Sequence, residues 1–268
     1  MFMSKTVEVK SREEIATMRR AGAVVADILA LLCARIVPGM TTAEIDKIAR
    51  EELKKRGAKP AFLNYHGYPA VICTSINHEV VHGIPSAKRA LKDGDIVGLD
   101  FGAVIDGWFG DAAVSLGVGR ITPEAERLLR VGRESLEKGI AAVKAGARVG
   151  DIGAAVQGHA EAAGFSVVRD FVGHGIGRSL HEDPAVPNFG SAGAGARLKA
   201  GMTLAIEPMI NAGACGVETL SDGWTSVTKD RKLSAHFEHT VLVTETGYDI
   251  LTLPSVACQE TSSTKRIS

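Results

Sequence analysis

Four acidic residues lie inside or at the ends of apolar runs, where a charged side chain is out of place. These residues are Asp100, Asp111, Glu207 and Glu238. A carboxylate in a buried strand loses hydration worth several kcal/mol or more, so it must be paired or bound to a cation. Few lysines or arginines lie near these acids in the sequence, and carboxylates that face one another repel strongly. The pattern therefore predicts that the four acids share bound metal.

Histidines beside glycines supply nitrogen donors for such a site. His82 and His174 each open a His-Gly-Ile triplet, and His181 follows His174 by seven residues. Four carboxylates and one imidazole form a hard, oxygen-rich donor set that suits two divalent ions of the manganese, iron(II), cobalt or zinc kind. A structural zinc site would need more nitrogen or sulfur donors. The donor set therefore favours a dinuclear centre with further imidazoles beside it.

The elements that must position these residues alternate between helical and strand-like sequence. Helical stretches show apolar residues at helical spacing, and the strand-like stretches are short runs broken by glycine, aspartate and proline. The predicted order is two helices at 11–57, strands at 70–119, helices at 121–164 and strands at 165–253.

The first two helices carry clear start signals. Ser11 and Glu14 form a capping-box pattern for the first helix, and either Thr41 or Thr42 can cap the second. Gly22 lies on the apolar face of the first helix. One step of that face therefore has no side chain to bury.

The two helix-and-strand units align when the sequence is shifted by 107 positions. Asp100 then falls on Glu207, at the same point of the same predicted strand. The other coincidences are Gly39 with Gly146, Ile45 with Ile152, Gly57 with Gly164, Gly94 with Gly201, and Leu99 with Ile206. Accidental placement of the two acids in similar units is the alternative. The alignment favours a pseudo-twofold domain whose carboxylates converge on its axis.

Several segments, taken together, resemble the type I methionine aminopeptidases, a metallopeptidase family. The segments are Asn77–Pro85, Gly173–Gly177, Ile206–Met209 and Phe237–Thr240, with Asp111 eleven residues after Asp100. The resemblance covers residues 11 to 252. It implies an α/β (α+β) pita-bread fold, in which pseudo-twofold repeats of two helices and antiparallel strands surround a curved central sheet. It also implies the short bacterial form, without an N-terminal zinc-binding or linker extension.

The repeat and the resemblance together divide the chain into three parts. Residues 1–10 form an N-terminal segment, residues 11–253 a single catalytic domain, and residues 254–268 a polar C-terminal tail. Within the domain, the pseudo-repeats span roughly 11–119 and 120–253.

The resemblance implies a role for each of the five metal ligands. Asp111 and Glu238 bridge the two ions, and Asp100 completes the shell of one of them. His174 and Glu207 complete the shell of the other. The ions themselves would be Co²⁺, Mn²⁺, Fe²⁺ or Zn²⁺, two per chain.

The resemblance also implies which residues take part in catalysis. Bound ions would acidify the water that attacks the peptide carbonyl, and Glu207 would accept the proton of that water. His181 hydrogen-bonds the carbonyl oxygen or the oxyanion. His82 contacts the peptide nitrogen and helps the amine to leave.

An apolar, polarisable pocket for a methionine side chain is a further implication, because a thioether offers no strong hydrogen bond. By resemblance, its wall consists of Phe62, Tyr65, Tyr68, Cys73, Leu180 and Trp224. Phe62 and Leu180 depart from the cysteine and the aromatic residue that many bacterial relatives carry there. Asn77 and Ser234 would help to hold a monovalent cation near the site.

The implied activity is removal of the initiator methionine from nascent proteins and peptides, with a preference for a small second residue. An X-Pro aminopeptidase is the nearest alternative, but such enzymes typically carry a long additional N-terminal domain. A non-catalytic relative that binds peptides or ribosomes would usually have lost metal ligands, which this chain retains. A metal-stabilised structural domain would not need His82 or His181.

The amino-acid composition limits the cellular compartments and partners that we expect for this protein. The 31 basic and 31 acidic residues leave no excess of positive charge of the kind that nucleic-acid binding usually shows. The four cysteines show no CxxC spacing, which favours reduced thiols in the cytoplasm. The sequence shows neither a signal peptide nor an apolar stretch that could span a bilayer. We expect a cytoplasmic monomer that acts on nascent polypeptide N-termini, contacts the ribosome transiently, and binds no specific nucleic acid or membrane.

Overall fold

A curved antiparallel sheet with two pairs of helices packed on it makes up the computed structural model, which describes residues 7–255. The helices of this range are α1 Arg12–Arg35, α2 Thr42–Lys55, α3 Pro123–Ala141 and α4 Val149–Ala162. The strands are β1 Lys59–Pro60, β2 Ile72–Ile76, β3 Glu79–Val81, β4 Ile96–Ile105, β5 Trp108–Gly117, β6 Ser166–Val167, β7 Gly173–Gly175, β8 Glu182–Val186, β9 Thr203–Ile206, β10 Met209–Asn211, β11 Val217–Thr219, β12 Ser226–Thr228, β13 Ser234–His236, β14 Glu238–Val243 and β15 Tyr248–Ile250. This architecture confirms the predicted fold class.

Capping boxes start both helices of the first pair. The Ser11 hydroxyl accepts from the Glu14 N–H at 3.3 Å, and the Glu14 carboxylate accepts from the Ser11 N–H at 2.9 Å. Of the two candidate caps for α2, Thr41 forms the box, with Glu44 as its partner. Thr42 is the first residue of the helix and is buried. The start of each helix therefore follows from its local sequence.

The 107-residue repeat is present in the three-dimensional structure. Helices α2 and α4 begin and end 107 residues apart, and strands β4 and β9 begin 107 residues apart. The isolated bridges Thr41–Ala90 and Arg148–Arg197 show the same spacing. The turn glycines that coincide in sequence have nearly equal φ angles, 91° and 89° for Gly39 and Gly146, and 93° and 88° for Gly94 and Gly201. The two halves therefore share one supersecondary design.

The four central strands of the main sheet are arranged symmetrically. Its strand order is β1-β4-β5-β14-β9-β7-β8, with β2 also paired to β4 and β15 to β14. Strands β5 and β14 are central neighbours, and β4 and β9 flank them on either side. In the first half β5 follows β4 directly, whereas in the second half strands β10 to β13 intervene before β14. The pseudo-twofold axis therefore passes between β5 and β14, although the two halves differ in length.

Each half has its own apolar core between its helices and the sheet. Leu99 packs with the α1–α2 core, and Ile206 packs with the α3–α4 core, and both are fully buried. Because successive side chains of a strand point to opposite faces, the residue after each of them faces away from the helices. Asp100 and Glu207 are those residues. Because Leu99 and Ile206 are buried in the two cores, the side chains of Asp100 and Glu207 point to the concave face of the sheet.

Two glycines allow α1 to lie directly on the sheet and the C-terminal segment. A Cβ at Gly22 would lie 2.3 Å from the carbonyl oxygen of Leu251, and a Cβ at Gly110 of β5 would lie 2.7 Å from the backbone nitrogen of Gly22. Real Cβ atoms do not approach other atoms so closely. Gly22, the one position on the apolar face of α1 without a side chain, is therefore a point of close contact between backbones.

We expect Gly22→Ala to lower the free energy of unfolding by about 1–3 kcal/mol, because the backbone must move away from Leu251. Gly158→Ala is the matched control. Gly158 lies on the exposed face of α4 with nothing within 4 Å of an added Cβ, so this change should raise the free energy by about 0.5–1 kcal/mol. Urea denaturation measures both. If Gly22→Ala is as stable as the wild-type protein, the proposed close contact does not restrict α1.

The ends of the chain are partly covered by the structure. Residues 1–6 and 256–268, which include most of the predicted N-terminal segment and polar tail, lie outside the described residues. The backbone N–H and hydroxyl of Ser255 donate to the Asp27 carboxylate at 2.7 and 2.9 Å, so the start of the predicted tail is fixed to α1. Between residues 7 and 255, no helix is both long enough and apolar enough to cross a membrane.

Candidate metal centre

Five neighbouring strands bring the predicted metal ligands to one place. Asp100 lies on β4, Asp111 on β5, Glu238 on β14 and His174 on β7, and Glu207 directly follows β9. These strands are consecutive in the sheet. Their five side chains line a single cavity of about 280 Å³ on the concave face.

The donor atoms lie close enough to share cations. One donor atom from each of Asp111, His174 and Glu238 lies within 4.8 Å of the other two, and Nε2 of His174 lies 3.4 Å from Oε1 of Glu207. One buried oxygen each of Asp100, Asp111 and Glu238 has no hydrogen-bond partner. Because buried acceptors are almost always satisfied, these unpartnered oxygens fit the binding of metal ions.

Burial disfavours the charged forms of the carboxyl groups. It raises the pKa of Asp100 to about 7 and that of Glu207 to about 8. Burial, and then the neighbouring carboxylates, raise the pKa values of Asp111 and Glu238 well above their ordinary values. Burial also lowers the pKa of His174 to about 3, so its neutral imidazole offers a lone pair to a cation. A bound cation would favour the ionised carboxylates and offset their shifts.

Hydrogen bonds fix the backbone of two predicted ligands. The Thr240 hydroxyl donates to the Asp111 carbonyl at 2.8 Å and accepts from the Asp111 N–H at 3.1 Å. The Asn188 side-chain amide donates to the Glu207 carbonyl at 3.0 Å. These contacts leave the carboxylate oxygens of both residues free, so they orient the ligands without competing with a cation.

The two predicted catalytic histidines line the same cavity. The His82 ring meets Phe171 and Trp224 edge-on, at centroid distances of 5.5 and 6.1 Å, and burial lowers the pKa of His82 to about 4. The His181 ring lies 4.2 Å from the His174 ring, and burial also lowers the pKa of His181. Both imidazoles are therefore neutral near pH 7, with one N–H each to donate.

All six residues predicted for the side-chain pocket line this cavity. They are Phe62, Tyr65, Tyr68, Cys73, Leu180 and Trp224. The Tyr68 hydroxyl donates to the carbonyls of Ile72 and Gly83 at 3.2 and 3.1 Å, so its polar group is satisfied by backbone. Burial raises the pKa of the Cys73 thiol, which therefore stays uncharged. The wall is apolar and polarisable, as a thioether pocket requires.

Four other residues of the cavity were not predicted as site residues. His66, Val81, Phe171 and Val172 also line it. Val81 ends strand β3, Phe171 and Val172 lie in the segment before β7, and His66 lies in the 3-10 turn Tyr65–Gly67. Only the folded chain shows that they face the ligands.

His236 on β13 is a buried histidine that the sequence analysis missed. Its Nε2 lies 3.6 Å from Oε2 of Glu207 and has no hydrogen-bond partner. The available signal was its position two residues before Glu238, but that spacing does not reveal where the ring points. Sequence reasoning alone could not place His236 beside Glu207.

The pentapeptide His78–His82 matches the HExxH pattern of helical zinc sites. Here Glu79 begins strand β3, so the helical geometry of that motif is absent. The Glu79 carboxylate accepts from the Ile76 N–H at 2.8 Å and pairs with Arg89. This segment therefore contributes His82 to the cavity, and its glutamate is structural.

Asn77 and Ser234 adjoin each other but do not line the cavity. The Ser234 N–H donates to the Asn77 carbonyl at 2.8 Å. Their side chains bond elsewhere, Asn77 to Asp95 and Ser234 to Asn211, each at 2.8 Å. The monovalent cation site stays a prediction.

Comparison with known proteins agrees with this geometry. Residues 16–245 match the model of metallopeptidase family M24. Methionine aminopeptidase from Clostridium perfringens is 52% identical over 91% of this chain and 98% of its own length. Methionine aminopeptidase 1 from Bacillus subtilis is 51% identical over 91% and 98%. The chain therefore belongs to metallopeptidase family M24, and within it to the methionine aminopeptidases.

Solved structures support the same grouping. The crystal structure of methionine aminopeptidase from Rickettsia prowazekii superposes with a TM-score of 0.91 at 43% identity, and covers 92% of this chain and 100% of that one. A prolidase from Pyrococcus horikoshii has a TM-score of 0.75 at 22% identity, and covers 92% of this chain but 64% of that one. The second likeness shows a shared fold alone. The likeness of this chain to X-Pro-cleaving enzymes is thus weaker than its likeness to methionine aminopeptidases.

Proposed function

We propose that this protein removes the N-terminal methionine from nascent proteins and peptides, with a preference for a small second residue. One observation carries the proposal: a single cavity contains both the carboxylate–imidazole cluster and the apolar wall. A substrate whose methionine side chain lies against that wall would place its first peptide bond beside the cluster. The membership of the chain among the methionine aminopeptidases supports the same reading.

The centre would hold two divalent ions, drawn from Co²⁺, Mn²⁺, Fe²⁺ and Zn²⁺. Asp111 and Glu238, on the two central strands, are suited to bridge them, because they lie nearest the pseudo-twofold axis. Asp100 would complete one shell, and His174 with Glu207 the other. When bound, such ions acidify water and polarise a carbonyl.

Three side chains of the protein would handle protons and hydrogen bonds. Glu207 would accept a proton from the attacking water, because its carboxylate faces the cavity beside His174. His181 would donate a hydrogen bond to the substrate carbonyl, where negative charge develops. His82 would contact the peptide nitrogen and assist its departure. The free amine of the substrate would lie beside Asp100, which favours cleavage of the first residue only.

Several broader properties belong to the same proposal. Residues 11–253 would act as one catalytic domain, in the cytoplasm and as a monomer. Its substrates would be nascent N-termini, met through transient contact with the ribosome. A monovalent cation near Asn77 and Ser234 would stabilise the segment beside His82.

A peptide assay tests the proposed activity. The metal-loaded protein should release free methionine from Met-Ala-Ser and leave an X-Pro peptide intact, because the pocket fits an unbranched thioether at the first position. Chelation should abolish release, and added metal should restore it. Cleavage of the X-Pro peptide instead would favour the prolidase-like activity. No cleavage with Mn²⁺, Fe²⁺, Co²⁺ or Zn²⁺ would favour a binding function.

A further inference from the structure

We propose that Tyr65 is a positioning residue for His181: its phenol donates to Nδ1 and so keeps the imidazole proton on Nε2, towards the substrate. This inference rests on the proposed function, in which His181 donates a hydrogen bond to the substrate carbonyl. It gives Tyr65 a second task besides its place in the apolar wall.

A direct hydrogen bond joins the two residues. The Tyr65 oxygen lies 2.7 Å from Nδ1 of His181, and the ring centroids are 5.3 Å apart. Tyr65 belongs to the first repeat and His181 to the second, so the bond joins the two halves of the protein. Both residues line the cavity that contains the carboxylates. The bond therefore couples one wall of the pocket to a group that faces the reacting peptide.

The direction of this bond decides the chemistry of His181. A neutral imidazole has one protonated nitrogen, and the hydrogen bond at one nitrogen selects which. If the phenol donates to Nδ1, the proton is on Nε2, which then offers an N–H to a carbonyl oxygen. If Nδ1 carried the proton, Nε2 would present a lone pair to the same oxygen and repel it. Among residues 7–255, Nδ1 of His181 is the one hydrogen-bond partner of the Tyr65 hydroxyl, so the first arrangement is the one that satisfies the phenol proton.

The backbone around Tyr65 is unusual in a way that fits this task. Tyr65 opens a 3-10 turn, and the flanking residues Asn64 and His66 have φ angles of 65° and 48°, in the left-handed region. Non-glycine residues keep such angles only where the surroundings hold them, commonly at functional sites. The Asn64 N–H donates to the Tyr68 carbonyl at 2.8 Å and closes the turn. The turn thus holds the backbone that carries the Tyr65 side chain.

Tyr65→Phe separates the two tasks, because the wall needs the ring and positioning needs the hydroxyl. Nitrogen NMR of ¹⁵N-histidine-labelled, zinc-loaded protein reports the tautomer directly, with His181→Gln to assign the signals. We expect an Nε2-protonated His181 in the wild-type protein and averaged tautomer signals in Tyr65→Phe. Tyr68→Phe removes a hydroxyl that bonds to backbone carbonyls, so it should leave the His181 signals unchanged. An Nδ1-protonated His181 in the wild-type protein would overturn the proposal.

Kinetics supply the second readout. Tyr65→Phe should lower kcat for Met-Ala-Ser by about two- to tenfold, the effect of one lost hydrogen bond, with little change in KM. The matched control is Tyr248→Phe on the exposed strand β15, which should match the wild-type protein. Unchanged kcat and KM in Tyr65→Phe would show that Tyr65 acts as wall alone and overturn the proposal. If the wild-type protein releases no methionine, the proposed function fails, while the NMR signals still decide the tautomer.

Discussion

Glu207→Gln is expected to lower kcat for methionine release by about a hundredfold to ten-thousandfold, the usual range for removal of a general base. The amide has the size of the carboxylate but cannot accept a proton at neutral pH. Glu207 is buried beside His174, so no exposed acid can take its place without a change of fold. The measurement is steady-state release of methionine from Met-Ala-Ser, with the metal content of each sample determined in parallel.

The matched control for Glu207→Gln is Glu137→Gln. Glu137 lies on the exposed face of α3, so the same change in charge should leave kcat within about twofold of the wild-type value, as ordinary surface substitutions have small effects. Metal titration of Glu207→Gln separates a lost base from a lost ligand. Near-normal turnover in a metal-loaded Glu207→Gln protein would exclude Glu207 as the proton acceptor.

Asp111→Asn is expected to abolish stabilisation by metal while the metal-free protein becomes at least as stable as the wild-type one. Burial raises the pKa of Asp111, and one of its buried oxygens has no hydrogen-bond partner. The ionised side chain therefore opposes folding when no cation is present. An amide of the same shape removes that charge, but it also removes the carboxylate that we propose as a bridging metal ligand.

Thermal unfolding with and without added Mn²⁺ measures this effect. A ligand present at about a thousandfold over its Kd stabilises a protein by about 4 kcal/mol, and the wild-type protein should show a shift of that order. Asp111→Asn should show little shift and no methionine release. Asp106→Asn is the control, because Asp106 is exposed at the turn between β4 and β5. A metal-induced shift in Asp111→Asn equal to that of the wild-type protein would argue against Asp111 as a ligand.

Local signals in the sequence predicted the helices and the repeat well, because those features depend on near neighbours. The Ser11–Glu14 box and the glycine turns act within a few residues, so their effect can be read directly. The 107-residue shift paired Asp100 with Glu207 because the two halves are equal in length up to that point. It could not pair Asp111 with Glu238, since Asp111 follows Asp100 by 11 residues and Glu238 follows Glu207 by 31.

Tertiary structure supplied that second pairing. Strands β5 and β14 lie side by side at the centre of the sheet, so Asp111 and Glu238 are related by the same pseudo-twofold axis as Asp100 and Glu207. The intervening strands β10 to β13 form pairings outside the main sheet. An insertion of that kind changes the spacing in sequence but not the position in space.

By itself, the sequence predicted a bound cation among four acids in apolar strands, because the hydration lost on burial is too large to leave them unpaired. It also determined where the helices start and that two similar units follow each other. Only the tertiary structure decided which other groups surround the site: His236 lies beside Glu207, Tyr65 hydrogen-bonds to His181, and further residues complete the cavity wall. These contacts join residues far apart in the chain, and their distances depend on how the two halves pack around one axis. The 107-residue repeat predicts the axis, but spacing along the sequence does not give the distances between individual side chains around it.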